Sequence, residues 1–324
     1  MTVDFLDPTL SPQDLATDLG NGITLIDTAF QRPQMAACYL MEQDNEVAII
    51  ETGTKDTVPL IFDVLTQKKI AASQVKYVIV THVHLDHAGG AGRLMDALPN
   101  ATLIVHPKGQ RHMVDPSKLQ AGATAVYGEE EFNKTYGDLI AIAENRTHAP
   151  KDGEILKLGG RALTFIDTPG HARHHFCVYD ELSKGIFTGD TFGLAYQELT
   201  NENGPFIFPT TTPVQFDPEA LKTSIKKIMS FNPESAFLTH YGKIQNLAPL
   251  ADALDIQVDA LVDIAQSSDA LPGEDRVKDL SVKIMDYLLN RLELHDCQLS
   301  VAEQIKVLQS DVLLNAQGLD VWLG

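Results

Sequence analysis

Between Thr81 and Gly90 the chain reads Thr-His-Val-His-Leu-Asp-His-Ala-Gly-Gly, with four potential metal ligands in six positions. Imidazoles and a carboxylate at this density are the donor set of a divalent ion, which lowers the pKa of a bound water and polarises a carbonyl or phosphoryl oxygen. His82 and His84 are two apart, so on an extended backbone their rings point the same way and can hold one ion. Asp86 and His87 lie past the bend and can reach a different one. Solvated or capping histidines are the ordinary alternative, but an HxHxDH run is far more specific than a lone glycine-rich turn.

The motif needs a rigid support, and the apolar run Val75 to Thr81 supplies one: it reads as a strand buried on both faces, with the ligands at its carboxyl end. Before it, Ile23 to Ile26, Met35 to Met41 and Glu46 to Glu51 read as strands, the last two joined through Gln43, Asp44 and Asn45 as a hairpin. Val58, Ile61, Phe62 and Leu65 recur at helical spacing. A helix at Ala91 to Leu98 and a strand at Thr102 to Val105 complete a β, helix, β unit. A second round of strands is expected at Glu154 to Leu158, Leu163 to Thr168, His175 to Tyr179, Gly185 to Thr188 and Ala236 to Thr239. Asp217-Pro218-Glu219 opens a helix with Leu221, Ile225, Ile228 and Met229 on its apolar face. Two long loops are expected, Gly109 to Pro150 and Phe192 to Gln215. In the first, Glu129 to Glu131 read as a solvated helix face; the second, with Tyr196, Phe206 and Phe208, reads as a pocket wall. Beyond Gln245 the apolar period becomes helical, so the chain divides into residues 1–245 and a helical extension, 246–324.

Further ligand types stand at the ends of the second-round strands: His171, Asp190 and His240. Seven candidates exceed the four of a tetrahedral zinc, but they suit two ions if Asp190 gives an oxygen to each and a hydroxide lies between. His174 and His175 follow His171; adjacent residues entering a strand face opposite ways, so at most one should face the metals.

THVHLDHAGG, then TPGH at Thr168 to His171, TGD at Thr188 to Asp190 and LTHYG at Leu238 to Gly242 resemble the metallo-β-lactamase superfamily in order, spacing and strand-end context. The resemblance covers residues 20 to 245 and implies an α/β fold: an αβ/βα sandwich of two mixed β-sheets flanked by helices, here with a C-terminal helical extension. It implies that His82, His84 and His171 hold a first ion and Asp86, His87 and His240 a second, with Asp190 bridging. It also implies that Asp86 steers the hydroxide and carries its proton as the catalytic acid and base. Glu51 stands where the family usually has an aspartate that supports the site from behind. Zinc is the default metal, iron and manganese being compatible with the same donors.

The activity that this implies is hydrolysis of an ester, lactone or thioester by a metal-bridging hydroxide. The alternative is a mononuclear iron persulfide dioxygenase, which in similar relatives needs only the first ligand set; the complete second set with His240 favours the hydrolase. A carboxylate in place of His84 would mark the flavodiiron branch, and glutathione-thioester relatives carry basic residues where this tail is acidic. Lactonases that resemble this motif often have a tyrosine where Gly193 stands, with Tyr196 three residues on. A non-enzymatic, metal-stabilised binding module is the remaining class.

Composition narrows the partners. With 44% hydrophobic and 21% charged residues the 324-residue chain is globular, and no apolar run is long enough for a membrane span. The opening MTVDFLDPTLSPQDL lacks the pattern of a secretory leader, so a cytoplasmic address is expected. Three widely spaced cysteines suggest reduced thiols. A net charge of −19, with 14 acids against 5 bases after residue 250, argues against nucleic acid and for a small-molecule substrate. Apolar stripes in the tail, ending in Leu319, Val321, Trp322 and Leu323, offer a homodimer interface.

Overall fold

The computed structural model describes residues 15–268 and 270–324, apart from the side chain of Tyr127; the segment read for a leader lies, but for Leu15, outside the described residues. The chain clusters into two compact units. One runs up to Asp167 and includes His174–Gly189; the other comprises Thr168–Arg173 and Asp190–Gly324.

In the first unit seven strands pair in chain order: β1 (Ala16–Asp18), β2 (Ile23–Asp27), β3 (Ala37–Gln43), β4 (Glu46–Ile50), β5 (Val75–Val80), β6 (Thr102–Val105) and β7 (Thr147–His148). The first four are antiparallel. The β3–β4 turn places Asp44 and Asn45 at φ 49° and 63°, a left-handed pair that Asn and Asp tolerate and that suits a two-residue hairpin. β4 to β7 run parallel, with Ile50 beside Ile79 and Val80 beside Val105. Helix α1 (Thr57–Gln67) is followed by a short turn of helix, α2 (Leu85–Ala88), and then α3 (Ala91–Ala97). Val58, Ile61, Val64 and Leu65 of α1 and Leu94 and Met95 of α3 form one buried cluster with Ile49, Val78, Val80 and Leu103 of the sheet. The 3.6-residue period read from the sequence is therefore the period of a core contact.

The expected loop 109–150 is a correction, because it contains α4 (Gln110–Val114), α5 (Ser117–Tyr127) and α6 (Glu129–Thr135). None of the described side chains of α5 is buried, so no apolar period announces it in the sequence. Glu129, Glu130 and Glu131 are exposed in the first turn of α6, where negative charge complements the helix dipole. An antiparallel meander follows: β8 (Ile155–Leu158), β9 (Arg161–Asp167), β10 (Phe176–Asp180) and β11 (Gly185–Gly189). Tyr39 of β3 meets Phe187 of β11 edge-on at 5.2 Å, which packs the meander onto the seven-stranded sheet. At the margin Glu46 Oε2 accepts from Lys76 Nζ at 2.7 Å and from Gly159 N at 2.6 Å.

In the second unit, α7 (Pro218–Ser230) starts as its sequence dictates: Asp217 caps it, accepting from Ala220 N at 3.0 Å, and Leu221, Ile225 and Ile228 are buried. The hairpin β12 (Ser235–Leu238) and β13 (Gly242–Gln245) precedes three long helices, α8 (Leu247–Ser268), α9 (Gly273–Leu294) and α10 (Val301–Leu323). No described helix is long and apolar enough to cross a membrane. The fold is the expected α/β class, with two mixed β-sheets flanked by helices and a C-terminal helical region.

The expected pocket wall 192–215 is also corrected. Tyr196 and Phe208 are fully buried, and the segment is held down by the tail. An irregular backbone buried under helices needs polar partners, and the helices supply them from their buried faces. Gln257 Nε2 donates to Ile207 O at 2.8 Å, Asn315 Oδ1 accepts from Thr211 N at 2.7 Å, and Tyr196 OH donates to Asp311 Oδ1 at 3.1 Å. Tyr196 is thus tied into the tail. At the closest approach, a Cβ on Gly318 would lie 1.5 Å from Thr211 O, so only glycine lets α10 reach this segment. Gly318→Ala is expected to destabilise the protein by about 1–3 kcal/mol, as overpacking does. An unchanged urea midpoint would refute this docking.

Candidate metal centre

In the first unit, β5 delivers the motif where its pairing ends. Thr81 O accepts from Phe176 N at 3.0 Å, and the ligands follow in a turn leading into α2. His82 Nε2 and His84 Nδ1 converge to 2.9 Å. Asp86 Oδ2 lies 3.5 Å from His87 Nε2. His82 and His87 are fully buried, with rings 4.0 Å apart, whereas His84 and Asp86 are half-buried on the accessible side.

Glu51 binds this turn from behind. Its backbone is left-handed, at φ 64°, a costly conformation for a residue with a Cβ and one that collects at functional sites. Its Oε1 accepts from Thr81 Oγ1 at 2.5 Å and faces His87 Nδ1 at 3.1 Å, and its Oε2 accepts from Thr81 N at 3.2 Å. Thr52 adds a donor to His87 O from both its N and its Oγ1, each at 2.8 Å. Glu51 therefore orients one ring nitrogen of His87 and turns the other toward Asp86.

In the second unit the loop carrying His171 is pinned by the start of α7. Gly170 O accepts from Asp217 N at 2.8 Å, and Pro169 O accepts from Ser224 Oγ at 2.6 Å. Gly170 has φ 135°, and a Cβ there would lie 2.3 Å from Leu221 backbone atoms, so the residue before His171 must be glycine. His240 follows β12, its carbonyl accepting from Ala195 N at 2.6 Å. Asp190 stands between the two histidines: Oδ2 is 3.4 Å from His171 Nε2 and Oδ1 is 3.7 Å from His240 Nε2. All three are buried.

Whether these donors fit a metal can be tested pair by pair. Two ligands of one tetrahedral zinc, each about 2.0–2.1 Å from it, stand roughly 3.4 Å apart. The pairs at 2.9, 3.5, 3.4 and 3.7 Å bracket that spacing, and every donor is an imidazole nitrogen or a carboxylate oxygen. Within each unit the arrangement fits divalent ions.

His174 and His175 precede β10 directly. Both are buried, and both lie beside His82, with rings 6.3 and 4.9 Å from its ring. β10 begins only at Phe176, so the alternation rule for a strand does not govern the two residues before it. The brevity of the connection between His171 and β10 was the available signal.

The family model of the Metallo-beta-lactamase superfamily matches residues 32–240. The metallo-beta-lactamase fold-containing protein ST1585 of Sulfurisphaera tokodaii is 26% identical over 65% of this chain and 75% of its own. Its crystal structure superposes with a TM-score of 0.63 at 22% identity, over 93% of this chain and 99% of that one. The acyl-coenzyme A thioesterase MBLAC2 of Homo sapiens is 27% identical over 53% of this chain and 64% of its own. The probable hydroxyacylglutathione hydrolase glo2 of Schizosaccharomyces pombe is 27% identical over 47% of each chain. The match thus spans less than two-thirds of either of these last two relatives. With nearly two-thirds of its residues under one family model and the fold shared with ST1585, the chain belongs to the metallo-β-lactamase superfamily.

Proposed function

We propose that the protein hydrolyses a small-molecule ester, lactone or thioester with two divalent metal ions. His82, His84 and His171 hold one ion, Asp86, His87 and His240 the other, and Asp190 serves both. The observation that carries this reading is the Asp190 carboxylate, which turns one oxygen to His171 and the other to His240, as a carboxylate serving two ions through both oxygens does. Two ions bound there supply hydroxide at neutral pH and polarise the oxygen of the scissile carbonyl. Zinc is the default, with iron and manganese admitted by the same donors.

The chain's own residues do the rest. Glu51 accepts the Nδ1 proton of His87 and so keeps the Nε2 lone pair free for coordination. Asp86, on the accessible side, holds the proton of the attacking water and delivers it to the leaving group. Within the class, the names of the human and yeast relatives, an acyl-coenzyme A thioesterase and a probable hydroxyacylglutathione hydrolase, favour a thioester.

Protein purified without added metal is expected to contain close to two zinc or manganese ions per chain by elemental mass spectrometry. A chelator should strip them and abolish hydrolysis across a panel of thioesters, esters and lactones, and the same metal should restore it. One iron per chain, with no hydrolysis, would overturn the reading in favour of the persulfide dioxygenase.

A further inference from the structure

We infer that a cavity walled by His106, Phe165 and Phe176, within the first unit, binds the anionic, non-reacting end of the substrate, so that the substrate carries a carboxylate or phosphate separated from its scissile carbonyl by a short apolar spacer. The word substrate rests on the hydrolase reading; the binding of such an acid does not.

The cavity measures about 290 Å³. That is at the lower end of ligand pockets and suits a fragment of a molecule rather than the whole of one. Its interior is apolar: Phe165 and Phe176 meet edge to face at 5.1 Å, with Pro107 and Pro150 beside them. Lys108 and Lys151 are exposed at its rim.

Its position follows from strand register. Val80 of β5 lies beside Val105 of β6, so the next residues, Thr81 and His106, sit at neighbouring strand ends. Parallel neighbours are about 4.8 Å apart, which brings the His106 wall next to the residue that precedes His82. On the other side Phe176, which donates its N–H to Thr81 O, is preceded directly by His174 and His175, whose rings lie against His82. Two walls of the cavity therefore flank the stem of the metal-binding turn.

The rim chemistry selects the ligand. The two acids of the lining keep their charge but are tied to neighbours: Asp167 Oδ1 accepts from His106 Nε2 at 2.8 Å, and Asp152 Oδ1 accepts from Asp167 N at 2.8 Å. His106 Nδ1 in turn accepts from Lys108 N at 3.1 Å, and Lys151 N donates to Glu154 Oε2 at 2.9 Å, so both lysine backbones are fixed at the mouth. No carboxylate among the described residues lies within ion-pair distance of either ammonium group, although Lys151 contributes to holding the Glu154 carboxyl below its usual range, in a chain where acids outnumber Lys and Arg by 44 to 25. Two exposed ammonium groups beside an apolar interior are complementary to an anion on an apolar stem, and they offer it local attraction where the overall field repels anions.

The test uses the metal-loaded protein and two probes of one shape, phenylacetate and neutral phenylacetamide, titrated by NMR or calorimetry. Phenylacetate is expected to bind more tightly, and Lys108→Ala and Lys151→Ala should each weaken it roughly threefold, about tenfold together, as exposed ion pairs do. Phenylacetamide should bind all four proteins alike. In parallel, the double variant should raise KM for 4-nitrophenyl hemisuccinate but not for 4-nitrophenyl butyrate, leaving kcat unchanged. Phenylacetate that ignores the lysine substitutions, or that fails to bind the wild type, overturns the proposal. Lysine-dependent binding without turnover of either ester would leave the acid site standing, and the panel of thioesters and lactones would then decide the hydrolase reading.

Discussion

Asp190→Ala is expected to lose both metal ions together, and hydrolysis is expected to fall by more than about a hundredfold, the upper range already seen when residues merely behind a ligand are removed. The physical reason is the division of one carboxylate between two histidines. His171 Nε2 and His240 Nε2 face different oxygens of the same side chain, at 3.4 and 3.7 Å. On the two-ion reading proposed above, alanine removes a donor from each ion and the negative charge that offsets both. Losing a ligand to one ion alone, as in His240→Ala, should leave the other ion bound, so metal stoichiometry separates the two variants. Asp190→Asn keeps the shape and drops the charge, and it is expected to fall between them. If Asp190→Ala retains two ions per chain and the full rate, the bridging assignment is wrong.

The second large effect is on stability. Arg161 at the start of β9 and Asp180 at the end of β10 form a pair whose side chains are wholly buried. Arg161 Nε donates to Asp180 Oδ1 at 2.7 Å, a second guanidinium nitrogen donates to Oδ2, and the third reaches Asn21 O at 2.6 Å. Asp180 also accepts from Leu182 N at 3.3 Å, Ser183 N at 3.1 Å and Ser183 Oγ, but Arg161 supplies the only positive charge paired with it. Arg161→Ala strands a buried carboxylate and is expected to cost about 3–5 kcal/mol, read as a shift in the denaturant midpoint. Arg161→Lys keeps a charge without the planar fork and should recover only part of the loss. A shift below about 1 kcal/mol would show that water reaches Asp180 and that the pair is not a buried one. The site residues lie elsewhere, so metal content below the unfolding transition should be unchanged.

Much of the scaffold was legible because it is local. The helix at Pro218–Ser230 was readable from its cap, its N1 proline and its apolar face, all within a dozen residues. The buried strand Val75–Val80 and the Asp44-Asn45 turn were readable for the same reason. The helices within 110–135 were not, since α5 buries no described side chain and so carries no period. The packing of segment 192–215 was not legible either, since its apolar residues announce only that something covers them. Its backbone and the Tyr196 hydroxyl are held by polar residues, Gln257, Asp311 and Asn315, more than forty positions away.

The same division runs through the site. Sequence alone determined the donor types and their order along the chain, because ligand chemistry depends on residue identity and His82 and His84 are neighbours on one extended stretch. Tertiary structure decided what no local pattern contains: that Glu51 reaches Thr81 and His87, that Asp190 divides its oxygens between His171 and His240, and that His174 and His175 both lie against His82. Each of these is a contact between segments brought together by sheet register or by the docking of a helix start. Such contacts are set by the packing of the whole core and leave no periodic trace in the residues that make them.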